Sequence, residues 1–191
     1  MQSTFSEFAD YGRLARALTK MDNFPQKAEL DQLGADLVRC ISTGNKLIVF
    51  GNGGSAGEAS HFAAELVSKC SRDHQPWPAL CLNDSSPIVT AIANDYGYEK
   101  VFQRQLQAYV KPGDVVVGLS TSGKSQNVLQ GLSYSATNGN PTYLLTGPTI
   151  NPEVSDQITC IHALLEDTPR IQELHLIWIH MLSEFCETQL A

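Results

Sequence analysis

Residues 46–66 read KLIVFGNGGSAGEASHFAAEL, and their order decides the fold class. The run KLIVFG (46–51) is short, apolar and β-branched, and it ends in glycine. That pattern marks a strand buried on both faces. A glycine-rich turn follows, and Ser55 is placed to cap a helix running to about Cys70. Strand, glycine turn and helix in that order form the opening of a parallel α/β unit. His61 and Glu65 lie four apart on the helix and share one face.

The pattern recurs outward from there. PALCL (78–82), GDVVVGLS (113–120), PTYLLTG (141–147) and QITCIHAL (157–164) read as further strands. Helical stretches separate them. One starts near Ser86, breaks near Gly97 and resumes to Val110. Another starts at Ser125. A last one opens at Asp167 or Thr168, with Pro169 in its first turn. Two more helices precede the first strand, over residues 4–21 and 24–43. In the second, Leu30, Leu33, Leu37 and Ile41 recur at helical spacing. The expectation is one α/β domain over residues 1–191. It holds a five-stranded parallel sheet with helices on both faces and N-terminal helices that are less committed to the sheet.

The chain has 191 residues with 42% hydrophobic and 17% charged side chains, and its formal net charge is −7. No Lys/Arg cluster forms a nucleic-acid footprint, so a polyanionic partner is not expected. No apolar run reaches the ~20 residues needed to cross a bilayer. The first residues show no basic segment followed by an apolar block, so a secretory signal is not expected. The five cysteines are odd in number and form no CxxC pair. That points away from a disulfide framework and a thiolate zinc site, and toward small buried side chains in a reducing cytoplasm.

Ligands of open α/β sheets bind beyond the carboxyl ends of the strands. Two such ends are rich in small and hydroxyl residues. GNGGSA (51–56) also fits the G-x-G-x-x-A spacing of a dinucleotide fingerprint, with Asp84 as a ribose-binding acid, but that pattern is short and frequent by chance. LSTSGKSQN (119–127) sets Ser120, Thr121, Ser122 and Ser125 around Gly123, just before a helix. It reads as a nest for one phosphate. A nicotinamide protein has no need of this second cradle, and a sugar-phosphate protein does. In the last helix, Gln172, Leu176 and His180 share a face. His175 falls off that stripe and is expected toward solvent or a subunit boundary. His61, Glu65, Gln172 and His180 could supply four N/O ligands to a divalent metal such as zinc. Equally, Glu65 and His180 could be an acid/base pair.

GNGGSA with HFAAEL, AIAND (91–95), LSTSGKSQNV and RIQELHLIWIH (170–180) together resemble the SIS (sugar isomerase) fold, and more closely the phosphoheptose isomerase family. The resemblance spans nearly the whole chain. It implies a three-layer SIS-type fold and conversion of sedoheptulose 7-phosphate to D-glycero-D-manno-heptose 7-phosphate. It also implies one zinc per subunit on His61, Glu65, Gln172 and His180. Asn52, Gly53, Gly54, Asn94 and Asp95 would contact the sugar, with Glu65 and Gln172. Ser120, Thr121, Ser122 and Ser125 would hold the phosphate, and Glu65 and His180 would be catalytic. The family forms homotetramers with sites between subunits, which would give residues 1–43 a packing partner. Lys69 stands where relatives commonly have arginine, and the loop GPTINPEVSD (147–156) is stiffened by Pro148 and Pro152. A non-catalytic branch of the same fold, binding replication initiators or sensing sugar phosphates, lacks the glutamate and histidine matching Glu65 and His180. Both are present here.

Overall fold

The computed structural model describes residues 26–149 and 151–190. The helix expected over 4–21 lies outside them. Among the described residues, α1 (Lys27–Ser42) leads into β1 (Leu47–Gly51), α2 (Gly54–Val67) and β2 (Ala79–Cys81). Next come α3 (Ser86–Tyr96), a 3-10 turn (Tyr98–Lys100) and α4 (Val101–Tyr109). Then follow β3 (Val115–Ser120), α5 (Gln126–Thr137), β4 (Thr142–Thr146), β5 (Thr159–His162) and α6 (Thr168–Leu190).

The five strands pair in the order β2-β1-β3-β4-β5. Every pairing is parallel. Alternation along each strand sorts the core into two layers. Leu47, Val49, Val115, Val117, Leu119, Tyr143 and Leu145 point to one face, where α1, α2 and α6 pack with Phe62, Leu66, Trp178 and Ile179. Ile48, Phe50, Val116 and Leu144 point to the other, against Phe102 and Leu106 of α4 and Val128 and Leu132 of α5. The result is the expected three-layer sandwich. Residues of β1, β3 and β4 are buried throughout, as strands covered on both faces should be.

The observed strands are shorter at their ends than the apolar runs, because a strand extends only as far as its neighbour pairs with it. The edge strand β2 pairs only with Leu47–Val49. One expected cap also differs. Gly53, not Ser55, occupies the N-cap of α2, with φ of +56° that a side chain would strain. Ser55 lies inside the helix and is 3% exposed. Ser125 does occupy the N-cap of α5, but its side chain makes no capping bond. Its hydroxyl pairs with Ser120 Oγ at 2.9 Å instead. The α2 helix ends at Val67, so Cys70 falls in the following turn.

Candidate functional site

β1 and β3 are neighbours with Gly51 opposite Leu119, so their carboxyl ends release two loops side by side. Reciprocal amide bonds join these loops. Asn52 Nδ2 donates to Asn127 Oδ1 at 2.9 Å, and Asn127 Nδ2 donates to Asn52 Oδ1 at 2.8 Å. Tyr98 adds its hydroxyl to Asn52 Oδ1 at 2.9 Å. Asn94 and Asp95, bonded to each other at 2.7 Å, end α3 just before this tyrosine and are exposed. Sequence reasoning named Asn52 and missed Asn127 and Tyr98. Asn127 was legible as a polar residue in the first turn of α5, but its partner is 75 positions away.

The hydroxyl loop is tightly folded. Gly123 N–H donates to Ser120 O at 2.9 Å, and Gly147 N–H donates to Thr121 O at 3.0 Å. Asn151 Nδ2 fastens Gly123 O at 2.8 Å. The loop carries Thr121, Ser122 and Ser125 at the mouth of α5, with Ser120 buried beneath them. A helix start of this kind attracts anions through its aligned N–H groups.

α2 and α6 pack in parallel on the same sheet face. At their N-terminal ends, Gln172 Nε2 lies 3.5 Å from Ser55 Oγ. A Cβ on Gly54 would stand 2.4 Å from Gln172 Nε2, so only glycine leaves the amide its place. Further along, His61 Nε2 and His180 Nε2 are 2.8 Å apart, and Glu65 Oε1 is 3.1 Å from His61 Nε2. One ligand atom from each of His61, Glu65 and His180 falls within 4.8 Å of the other two. Two imidazole nitrogens and a carboxylate oxygen facing one point form a donor set that suits zinc. His61 and Glu65 of one helix thus meet His180 of the other in space. Gln172 sits at the Ser55 end of the same helix interface.

Two further ionisable groups flank this cluster. Glu58 lies on the α2 face that carries His61 and Glu65, at i, i+3 and i+7. It is 8% exposed, and neither carboxyl oxygen has a hydrogen-bond partner. Burial pushes its pKa from an ordinary carboxylate's 4.5 up to about 7, opposed by the nearby Ser55 hydroxyl. Its spacing was a usable signal that sequence reading passed over. His175 corrects the expectation made for it. It is fully buried rather than facing solvent or a subunit boundary, and its Nε2 lies 3.3 Å from Thr146 O. α6 buries Ile171, Leu174, His175, Trp178 and Ile179, a broader face than the Gln172–His180 stripe alone. Burial lowers the His175 pKa from 6.5 to about 4.

These two shifts act on stability with opposite sign. His175 binds its proton more weakly when folded, so its contribution is complete above pH 6.5 and is lost as pH falls toward 4. Glu58 binds its proton more tightly when folded. Its contribution is complete below pH 4.5 and is lost as pH rises through 7. Glu58→Gln removes the second effect alone. Urea unfolding should show the variant about 3 kcal/mol more stable than wild type at pH 8, relative to their difference at pH 4. Equal differences at the two pH values would contradict the assignment.

The SIS domain family model matches residues 10–147. A phosphoheptose isomerase of Geotalea daltonii is 43% identical over 169 residues, covering 87% of this chain and 85% of that protein. The chain belongs to the phosphoheptose isomerase family of SIS-domain proteins. The phosphoheptose isomerase of Aquifex aeolicus is 41% identical over 153 residues, covering 79% of each chain. The solved phosphoheptose isomerase GmhA of Neisseria gonorrhoeae superposes with a TM-score of 0.83 at 30% identity, covering 93% of this chain and 95% of that one. Membership sets aside the dinucleotide reading of GNGGSA, and Asp84 with it. No helix among the described residues is long and apolar enough to cross a membrane.

Proposed function

We infer that the chain converts D-sedoheptulose 7-phosphate to D-glycero-D-manno-heptose 7-phosphate through an enediol, the first step toward a nucleotide-activated heptose. One observation carries this reading. The Glu65 carboxylate stands in one cluster with the His61 and His180 imidazoles, on the helix that begins at the glycine turn, and Asn52 of that turn is bonded to Asn127 behind the hydroxyl loop. An aldose–ketose isomerase needs a base next to the carbonyl carbons, a group that handles protons on oxygen, and an anchor for the phosphate. Glu65 is the base that takes a proton from one carbon and returns it to its neighbour. His180 assists ring opening and moves protons on the oxygens. Asn52, Gly53, Gly54, Asn94 and Asp95 hold the sugar, together with Gln172. Ser120, Thr121, Ser122 and Ser125 hold the phosphate.

His61, Glu65, Gln172 and His180 would hold one zinc ion, which when bound would polarise the substrate oxygens. A carboxylate bound to zinc is a weaker base, so Glu65 would act as base when free of the ion, or the ion would serve partly to orient the site. The chain works in the cytoplasm as a homotetramer with sites between subunits, where residues 1–43 find their partner. The presence of both Glu65 and His180 favours the enzyme over a non-catalytic binding or sensing protein.

The test is conversion of sedoheptulose 7-phosphate followed by NMR. A new aldoheptose 7-phosphate signal is expected. Folded protein giving no such signal, with or without added zinc, overturns this substrate assignment.

A further inference from the structure

Three chain segments meet on the side chain of Asn52, and their donors fix which of its atoms are left to act. Val128 N–H donates to Asn127 Oδ1 at 3.0 Å. A backbone N–H can only donate, so the atom facing it is the Asn127 oxygen and not its nitrogen. The paired amides then admit one arrangement. Asn52 Nδ2 donates to Asn127 Oδ1 at 2.9 Å, and Asn52 Oδ1 accepts from Asn127 Nδ2 at 2.8 Å. Turning Asn52 over alone would set oxygen against oxygen and nitrogen against nitrogen. The Tyr98 hydroxyl lies 2.9 Å from Asn52 Oδ1 and donates to it. An amide oxygen has two lone pairs, and both are now taken. Asn52 keeps its second Nδ2 hydrogen, which has no acceptor among the described residues.

We propose that Tyr98 is a positioning residue whose hydroxyl, together with Asn127, makes Asn52 a hydrogen-bond donor only toward the sugar. The proposal rests on the reading of Asn52 as a sugar contact. With its oxygen saturated, Asn52 meets the substrate through N–H, and it selects a sugar oxygen that offers a lone pair. Without the phenol, one lone pair of Oδ1 is open to water or to a sugar hydroxyl, and the amide no longer discriminates. Tyr98 also follows directly on α3, whose last turn carries Asn94 and Asp95. One hydroxyl therefore ties the two segments proposed to hold the sugar. The Tyr98 ring is 54% exposed, so its packing is slight and the hydroxyl is its main attachment to the turn.

The experiment is a double-mutant cycle of wild type, Tyr98→Phe, Asn52→Ala and the pair, with melting curves to confirm folding. KM and kcat for sedoheptulose 7-phosphate are read separately by NMR. Tyr98→Phe should raise KM about fivefold, the worth of one neutral hydrogen bond, with kcat changed by less than about twofold. Inorganic phosphate, read as a competitive inhibitor, should bind as it does to wild type, because its proposed contacts at Ser120–Ser125 are untouched. In the Asn52→Ala background the same change should have no further effect, since Tyr98 acts through Asn52. A wild-type KM in Tyr98→Phe overturns the proposal. So does a KM effect that persists undiminished beside Asn52→Ala, which would make the hydroxyl a direct sugar contact. Equal weakening of the sugar phosphate and of inorganic phosphate would mean a general structural role, and overturns it too. If Asn52→Ala does not fold, the side-chain amide NMR signals of Asn52 decide: Tyr98→Phe should shift them, and unchanged signals overturn the proposal. Failure of the isomerase reading looks different: wild type binds the sugar phosphate without converting it, and calorimetric Kd then replaces KM in the cycle. Wild type that does not bind the sugar phosphate overturns both.

Discussion

Glu65→Gln is expected to abolish turnover of sedoheptulose 7-phosphate while the sugar phosphate still binds. The substitution keeps the side chain's length and volume, so the packing of α2 on α6 is undisturbed. The carboxamide cannot accept a proton from carbon, and the two-carbon shuttle loses its carrier. Loss of a positioned general base costs about 10²–10⁴-fold. Binding should change far less, because the proposed phosphate contacts at Ser120–Ser125 and the proposed sugar contacts at the Asn52 turn come from other residues. The Asn52–Asn127 clasp holds these two loops together whatever stands at position 65. NMR turnover and calorimetric binding of the substrate decide the matter together. Near-normal turnover would remove Glu65 as the base. Loss of binding along with turnover would make it a sugar contact first.

Stripping metal with a chelator is expected to reduce turnover by about 10²-fold or more, and zinc should restore it. The reason lies in the cluster. His61 Nε2 and His180 Nε2 stand 2.8 Å apart, a spacing that one shared proton or one cation can reconcile. Glu65 Oε1 meets the same His61 nitrogen at 3.1 Å, so all three groups converge where a cation would sit. If zinc is the proposed ion, it would bind the folded site and not the unfolded chain. At a free concentration of 100 times its dissociation constant it adds about 2.7 kcal/mol. In a domain of this size that raises Tm by about 5–10 °C. Thermal melts with and without zinc read this independently of catalysis. Turnover unchanged in stripped protein, with the Tm rise intact, would assign the ion to structure alone.

Most of the sheet was legible because buried parallel strands cannot hide. DVVVGLS and PTYLLTG are continuous apolar runs closed by a turn, and each became a strand within two residues of its expected ends. The chemistry was legible in halves. His61 with Glu65, and Gln172 with His180, are local patterns on single helices. That α2 and α6 lie parallel and in contact is a tertiary fact without local signature. His175 shows the limit of reading one stripe on a helix. α6 is covered by the sheet and by α1, so it buries a broad arc, and a polar residue beside the expected stripe falls inside that arc. Ser55 and Ser125 show a second limit. Both have the composition of caps, but nearby Gln172 and Ser120 claim their hydroxyls. Glu58 was passed over because a lone acid on a helix is ordinarily solvated, and only the packing shows that this one is not.

The parallel pairing of α2 with α6 also bears on when the protein becomes competent during synthesis. His61 and His180 are 119 positions apart. Their meeting requires the last element of the fold to dock against one of the first. A nascent chain that has made β1 through β4 and both glycine loops still lacks His180, so it holds only half of the proposed reaction centre. Catalysis switches on only when α6 closes over α2, so activity reports completed folding rather than partial folding. A ribosome stalled before α6 emerges would display a chain with one sheet face still uncovered and His61 and Glu65 without their partner from α6.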